Sequence, residues 1–440
     1  MSDDTKILGL DAESGRWLLV AAGMVINVCL GAIYAYSVIR IPLEAHFKKL
    51  GLGVTATQMQ VPFIVFLLTW AVSMPLAGPK IDRWGPRRMT LAGGILLGSG
   101  WFLASLSGSP KTLALMYGII GGAGVGLAYG VPLAVSARWF PDRRGLAVGL
   151  TILGFGFSAA IIAPLSDALA RSLGSVLGVF RVFGIGFLVL IAALSRLMKF
   201  PPQGWSPRGW VCDDPPPAGR SASCSEVHFT WKQMIGKLSF YGLWVCYTLG
   251  ALAGLMAIGI AKPVGLEFAA NAGLSAAASA GLMTSLIVPF SACNGCGRPL
   301  FGAIIDRLSP QKAAVIAFTL IAFASILLYA IPNKTIVYIL GLSVLWGCLG
   351  GWVAIAPATT AKFFGSRHYS RNYGIVFTAY GAGAVLGNIL AGRVKDLFGS
   401  YRRAFPIIAG LAGVGLLLAL ALLKPPVQAP AVFAPGPESE

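Results

Sequence analysis

The sequence predicts an all-α membrane protein of about twelve transmembrane helices, folded as two pseudo-symmetric six-helix bundles. Three observations predict it. Of the 440 residues 56% are hydrophobic and only 11% charged, a balance outside the range of soluble globular domains. Apolar runs of about 20 residues, long enough to cross a hydrocarbon core of roughly 30 Å, recur from Trp17 to Leu423. Residues of the first half also return in the second half at one fixed offset.

Taken in order, the polar and acidic stretch 1–16 is read as a cytoplasmic tail. The run behind it is too long for a removable signal peptide, so no cleavage is expected. Six runs follow over 17–200, centred near Asn27, Leu67, Leu97, Gly126, Leu153 and Phe187. Residues 201–237, rich in Pro, Ser and charge, form a linker rather than a span. Six further runs fill 238–424, near Leu249, Leu286, Leu320, Leu345, Gly381 and Gly413, and 425–440 close the chain as a second cytoplasmic tail. The glycine runs at 121–126 and 154–156 follow no strand, so they are read as close helix packing and not as a nucleotide loop.

The formal net charge is +18, but the basic residues gather on no single domain or stripe, which argues against nucleic acid. They lie between the runs. With the N-terminus inside, cytoplasmic segments hold Lys80, Arg83, Arg87, Arg88, Arg138, Arg143, Arg144, Arg196, Lys199, Arg208, Arg220, Lys232, Lys237, Arg307, Lys312, Lys362, Arg367 and Arg371. The external loops are poorer, with Lys48 and Lys49 in the first, Arg171 and Arg181 flanking the third, and Lys111, Lys262 and Lys334 alone in theirs. That asymmetry predicts a cell (inner or plasma) membrane protein with both termini cytoplasmic. One group runs against it: Arg393, Lys395, Arg402 and Arg403 fall outside, as for an anion-attracting vestibule. The cysteines form no secreted disulfide framework, and Cys293-x-x-Cys296 has no neighbouring His or Cys to complete a metal site, so no cofactor or metal is expected.

The internal repeat is specific. The loop after the second run reads Gly78-Pro-Lys-Ile-Asp82-Arg83-Trp-Gly85-Pro-Arg87-Arg88, and Asp306-Arg307 follows the eighth run at 306 − 82 = 224. Arg138-Trp139-Phe140 is answered by Lys362-Phe363-Phe364 at 362 − 138 = 224. An Asp and several Arg at helix ends can pair with one another and with a neighbouring helix dipole. Losing such pairs when two bundles part would bias a two-state equilibrium. Asp82, Arg83, Arg87, Arg88, Asp306 and Arg307 are therefore candidate gating residues, against the plainer reading that they only anchor topology. The Gly-x-x-x-Asp-Arg-x-Gly-x-Arg-Arg loop with its degenerate second copy resembles the signature loop of the major facilitator superfamily. The resemblance implies twelve helices in two bundles and an Asp/Arg relay that closes the cytoplasmic side in one state.

Within the eighth run stands Arg298, apolar sequence on both sides. A cation inside a spanning helix costs at least about 2.5–3.5 kcal/mol, so it faces protein or a water-filled cavity and serves a function there. Its counterpart at 298 − 224 = 74 is Met74, so the charge belongs to one half only. A guanidinium matches a carboxylate with two parallel hydrogen bonds. Asn294, four residues earlier on the same face, can orient it, or can simply bond a neighbouring helix. Tyr34, Tyr36, Tyr129, Tyr380 and Trp352 are candidate walls, the tyrosines with hydroxyls able to donate to an oxyanion, although aromatic residues in spans also merely pack.

Three motifs carry a narrower resemblance over nearly the whole chain: Arg138-Trp-Phe-Pro-Asp-Arg-Arg-Gly145-Leu-Ala-Val-Gly149, Asn294-Gly-Cys-Gly-Arg298-Pro and Ser370-Arg-Asn-Tyr-Gly374. They are similar to those of the oxalate:formate antiporter family and the monocarboxylate transporters. The resemblance implies carboxylate transport, with the eighth-helix arginine on the carboxylate. In the oxalate:formate family a lysine stands six residues after that last glycine, where this chain has Tyr380. In the monocarboxylate transporters a lysine lies near the end of the first helix and an aspartate four residues before the arginine, where this chain has Val38 and Asn294.

A buried anion needs its charge matched, so a single fixed cation suits a monoanion such as pyruvate, lactate, glycolate or formate. His46, His228 and His368 fall in loops or at helix ends, and Asp167 and Glu267 near external ends, so no titrating relay is visible for protons. The expectation is a non-enzymatic secondary transporter of small monocarboxylates, by anion exchange or proton symport, monomeric in the bilayer. The alternative is a dicarboxylate, oxalate-type antiporter.

Overall fold

The computed structural model describes residues 6–7, 9–202, 205–207, 229–365 and 368–426. The linker's central part and both chain ends, with Cys212, Cys224 and His228, lie outside the described residues. The first six helices are α1 (Ala12–Lys49), α2 (Ala56–Trp84), α3 (Pro86–Ala104), α4 (Pro110–Trp139), α5 (Arg144–Leu173) and α6 (Val176–Ser195). After a one-turn helix at Trp231–Ile235 come α7 (Leu238–Asn271) and α8, which is Ala276–Ser285 followed by Ile287–Arg307. The remainder are α9 (Pro310–Ala330), α10 (Thr335–Phe364), α11 (Tyr369–Phe398) and α12 (Tyr401–Leu422).

Of these, 10 are long and apolar enough on composition to cross a membrane. The two others are α3, with Arg87 and Arg88 in its first turn, and α8, with Arg298 inside it. Large apolar side chains such as Leu76, Leu106, Val189, Phe323, Leu340 and Leu417 are exposed, as helices facing lipid require.

α1 begins at Ala12, earlier than hydropathy suggests, because Arg16 is buried and neutralised by partners rather than by water. A short hairpin, Lys6–Ile7 against Leu10–Asp11, leads into it. Near the middle, α1 tightens to a 3₁₀ turn at Gly31–Ala35, and Ser158 of α5 donates to the Val28 carbonyl at 2.6 Å just before that turn. The tightening rotates Tyr34 and Tyr36 onto different neighbours. α4 likewise breaks at Tyr129, three residues before Pro132, whose missing N–H leaves the helix ladder open there.

Within the first half α1 packs on α5, α3 on α6 and α2 on α4; within the second half α7 packs on α11, α9 on α12 and α8 on α10. The halves meet along α2–α11, α5–α8 and α1–α7. Those three pairs map onto one another when the 224-residue offset exchanges α2 with α8 and α5 with α11, so the repeat is a real pseudo-two-fold. At the centre of the α5–α8 contact a Cβ on Gly156 would stand 2.7 Å from Gly295 Cα. Only glycine allows helix backbones that close. Both ends of the bundle then have an identity. One face carries the start of α1 and the end of α12, and is called the terminal face below; the other is the distal face.

Candidate functional site

Arg298 lies nine residues before the end of α8 (307 − 298 = 9), roughly 13 Å into the protein from the terminal face. The local sequence seats it. A Cβ on Gly297 would fall 2.2 Å from the Gly347 carbonyl, so α8 and α10 touch backbone to backbone. That approach lets the Asn294 side-chain amide donate to the Trp346 carbonyl at 2.9 Å. Asn294 is fully buried, and its oxygen is turned toward the arginine on the next turn.

Arg298 is 7% exposed. Its Nη1 donates to the Ile152 carbonyl of α5 at 2.9 Å, and its Nη2 to Asn294 Oδ1 at 3.4 Å. Nε is buried with no partner, and the cation sits 5.8 Å from the centre of the Phe155 ring. The Ile152 bond joins the two bundles. Arg298 is thus not an idle fork: two of its five N–H groups are engaged, one of them across the bundles, and Nε–H is buried without a partner.

Around it the hydroxyls of Tyr34, Tyr129, Tyr247 and Tyr380 all lie within the arginine's electrostatic field. Tyr34 and Tyr380 share a hydrogen bond of 2.5 Å across the bundle interface. Trp70 of α2 packs on Tyr129, Phe155, Phe377 and Tyr380 at 5.0–5.3 Å between ring centres. Phe377 stacks on Tyr380 at 5.0 Å, and Tyr247 lies 6.2 Å from Tyr380. The result is a box of rings with one cation and several hydroxyls, able to hold a small anion by charge and hydrogen bonds while its walls exclude water.

Of the residues singled out in sequence, Arg298, Asn294, Tyr34, Tyr129 and Tyr380 come together here. Tyr36 does not. Its hydroxyl donates to the Met59 carbonyl at 2.6 Å and its ring stacks on Phe63 and Tyr117, so it belongs to the distal half of the first bundle. Trp352 stands one layer back, stacked on Tyr247 at 6.2 Å with Phe318 of α9 behind it. Sequence reasoning missed Trp70, Phe155, Tyr247, Phe377 and the Ile152 carbonyl. Trp70 had a signal: 294 − 224 = 70 makes it the pseudo-equivalent of Asn294.

The distal face is closed by contacts between the bundles. Asp396 of α11 accepts from the Ala56 and Thr57 amides at 2.7 and 3.0 Å, capping α2 from the opposite half. Lys262, expected in an external loop, is instead 4% exposed inside α7 and pairs with Asp167 of α5 at 3.3 Å. Hydropathy misassigned it because α7 runs on to Asn271, its charge hidden by a partner 95 residues away. The basic cluster resolves into separate contacts. Lys395 pairs with Glu267 at 2.7 Å, Arg402 donates to the Tyr329 carbonyl at 3.2 Å, and Arg403 lies over the Phe398 ring.

At the terminal face Arg83, Arg87, Arg88, Asp306 and Arg307 are exposed at helix ends; Asp82 is in the last turn of α2, its side chain outside the described residues. A different arginine is built in there. Arg16 grips Asp142 of the α4–α5 loop through both oxygens, at 2.6 and 3.1 Å, bonds Glu13 and the Trp139 carbonyl, and lies over Phe140. Burial pushes the Asp142 carboxyl up, but the hydrogen bonds and charge of Arg16 outweigh it and hold the group below its usual range.

Comparison with known proteins agrees with this architecture. The family model described as Major Facilitator Superfamily matches residues 17–361 and, again, 243–439. The chain is 27% identical over 406 residues to the oxalate:formate antiporter of Oxalobacter formigenes, covering 92% of this chain and 90% of that protein. It is 24% identical over 439 residues to monocarboxylate transporter 1 of Rattus norvegicus, covering 94% and 87%. A solved bacterial homolog to the human lysosomal transporter Spinster, in an inward-facing and unoccupied conformation, superposes with a TM-score of 0.65 at 16% identity over 94% of this chain and 99% of that one. That last likeness speaks for the fold alone.

Proposed function

Because the chain belongs to the Major Facilitator Superfamily, we propose that it is a secondary carrier of small monocarboxylates such as pyruvate, lactate, glycolate or formate, working by alternating access. The observation that carries the reading is the single guanidinium of Arg298 in a box of tyrosine hydroxyls, with Tyr380 bonded to Tyr34 where the resemblance to oxalate carriers calls for lysine. One carboxylate balances that charge; a dianion would leave its second charge against apolar rings.

Arg298 is held by Ile152 and Asn294. A carboxylate taking the Ile152 place keeps the hydrogen-bond count while removing an inter-bundle tie. Substrate binding and bundle movement then draw on the same donor, as obligatory exchange requires. Asp82, Arg83, Arg87, Arg88, Asp306 and Arg307 are the candidate groups that close the terminal face in the opposite state. Basic loops make that face cytoplasmic.

Counterflow in proteoliposomes against a panel of mono- and dicarboxylates, at two imposed pH gradients, tests the reading. Monocarboxylates should exchange, and a substrate-bound proton would appear as a dependence on the gradient. Oxalate or succinate outcompeting pyruvate and lactate would instead support a dicarboxylate exchanger, the activity named for the relative from Oxalobacter formigenes.

A further inference from the structure

A second arginine meets the physical requirements of an anion site. Arg40 of α1 is 1% exposed, and its Nε and Nη1 are buried with no hydrogen-bond partner. Its Nη2 donates to the Tyr401 hydroxyl, and the guanidinium lies 5.4 Å from the centre of the Tyr401 ring. Neighbouring cations of the distal face have carboxylates: Lys262 has Asp167, Lys395 has Glu267 and Lys48 has Glu44. Among the described residues Arg40 forms no ion pair. A buried guanidinium with two unmatched nitrogens is expensive.

Its position turns that expense into a use. Tyr401 belongs to the second bundle and Arg40 to the first, so the bond between them is broken when the distal face opens. Losing that bond leaves Nη2 without its Tyr401 partner, beside Nε and Nη1, which have none. It is 40 − 34 = 6 residues from Tyr34, roughly 9 Å along α1, and Tyr34 is already in the field of Arg298. Arg40 thus lies on the distal side of Tyr34 along α1, and Arg298 acts on Tyr34 from the second bundle.

We propose that Arg40 is a second carboxylate site, a distal station that receives the small anion before it passes Tyr34 to Arg298, and that Tyr401 covers this station when the face is closed. The proposal rests on the carrier reading above. It differs from a plain latch in sign. If Arg40 only holds the face shut, removing it populates the distal-open state and lowers the distal-face KM. As an anion station its removal raises that KM.

The test uses full-length protein in sided vesicles, with labelled pyruvate and labelled formate presented at either face. For Arg40→Gln the distal-face KM should rise about tenfold, equivalent to about 1.4 kcal/mol, while the terminal-face KM stays within about twofold. Tyr401→Phe, which removes the latch and keeps the cation, should leave the distal KM unchanged or lower it. A distal KM that falls or does not move in Arg40→Gln overturns the proposal. Should that variant not assemble, wild-type protein decides. An impermeant arylglyoxal applied at the distal face should modify Arg40 more slowly when pyruvate or formate is present, read by peptide mass, and unprotected modification overturns the assignment. Wild-type vesicles that carry neither acid while the anions still protect Arg40 would fail the carrier reading and not the site.

Discussion

Replacing Arg298 by lysine probes the centre of the site with its charge kept. The guanidinium bonds Ile152 and Asn294 at once and keeps Nε in reserve. An ammonium on a shorter reach cannot hold Asn294 Oδ1 and also present two parallel donors to a carboxylate. The variant loses one charge-assisted hydrogen bond to the substrate, about 1.5–3 kcal/mol, which corresponds to about 10- to 150-fold in transport efficiency. Initial counterflow rates over a range of substrate concentrations, with size-exclusion profiles matched to wild type, measure it. The expected change falls in KM, with the maximal rate less affected, since the lost contact is to the bound anion. Transport efficiency in Arg298→Lys within about twofold of wild type would refute the two-donor role.

Other substitutions separate site from scaffold. Tyr380→Lys puts a second cation beside the substrate; at an effective dielectric of about 20 and a separation of about 7 Å a second carboxylate gains about 2 kcal/mol. Its oxalate-to-formate preference in competition assays should rise at least tenfold, roughly, and an unchanged preference would contradict the charge-counting argument. Gly297→Ala drives a methyl to 2.2 Å from the Gly347 carbonyl and should cost about 1–3 kcal/mol, seen as a lower unfolding temperature in detergent; an unshifted midpoint would mean that α8 and α10 do not touch there. The Asp142 carboxyl is held below its usual range in the fold, so its stabilising contribution is complete above the ordinary carboxylate value of about 3.9 and is lost as pH falls through the folded value. Asp142→Asn should therefore be less stable than wild type at pH 7, with the gap closing at strongly acid pH; a gap independent of pH would remove the Arg16 pairing as its cause.

Much of this was legible in sequence for a physical reason. A bilayer admits few architectures, so apolar runs and a 224-residue echo were enough to predict two helical bundles. The cost of an intramembrane charge pointed to Arg298 before any contact was known. Partnered charges defeated the same logic. Lys262 looked like a loop residue and Arg16 like a tail residue because hydropathy reads one residue's cost and not the Asp167 or Asp142 that offsets it. Tyr36 and Trp352 were grouped with the site by type; a 3₁₀ turn and one layer of packing put them elsewhere.

What the sequence by itself determined, then, is the membrane class, the duplicated bundle and the presence of one arginine without a twin, all of them consequences of local composition and spacing. Only tertiary structure decided which rings surround that arginine, that two of its donors bond Ile152 and Asn294 while Nε is left without a partner, and that Arg40 faces Tyr401 across the bundle interface. These depend on glycine-permitted contacts between helices far apart in the chain, and the angle at which two helices meet is written in no single segment.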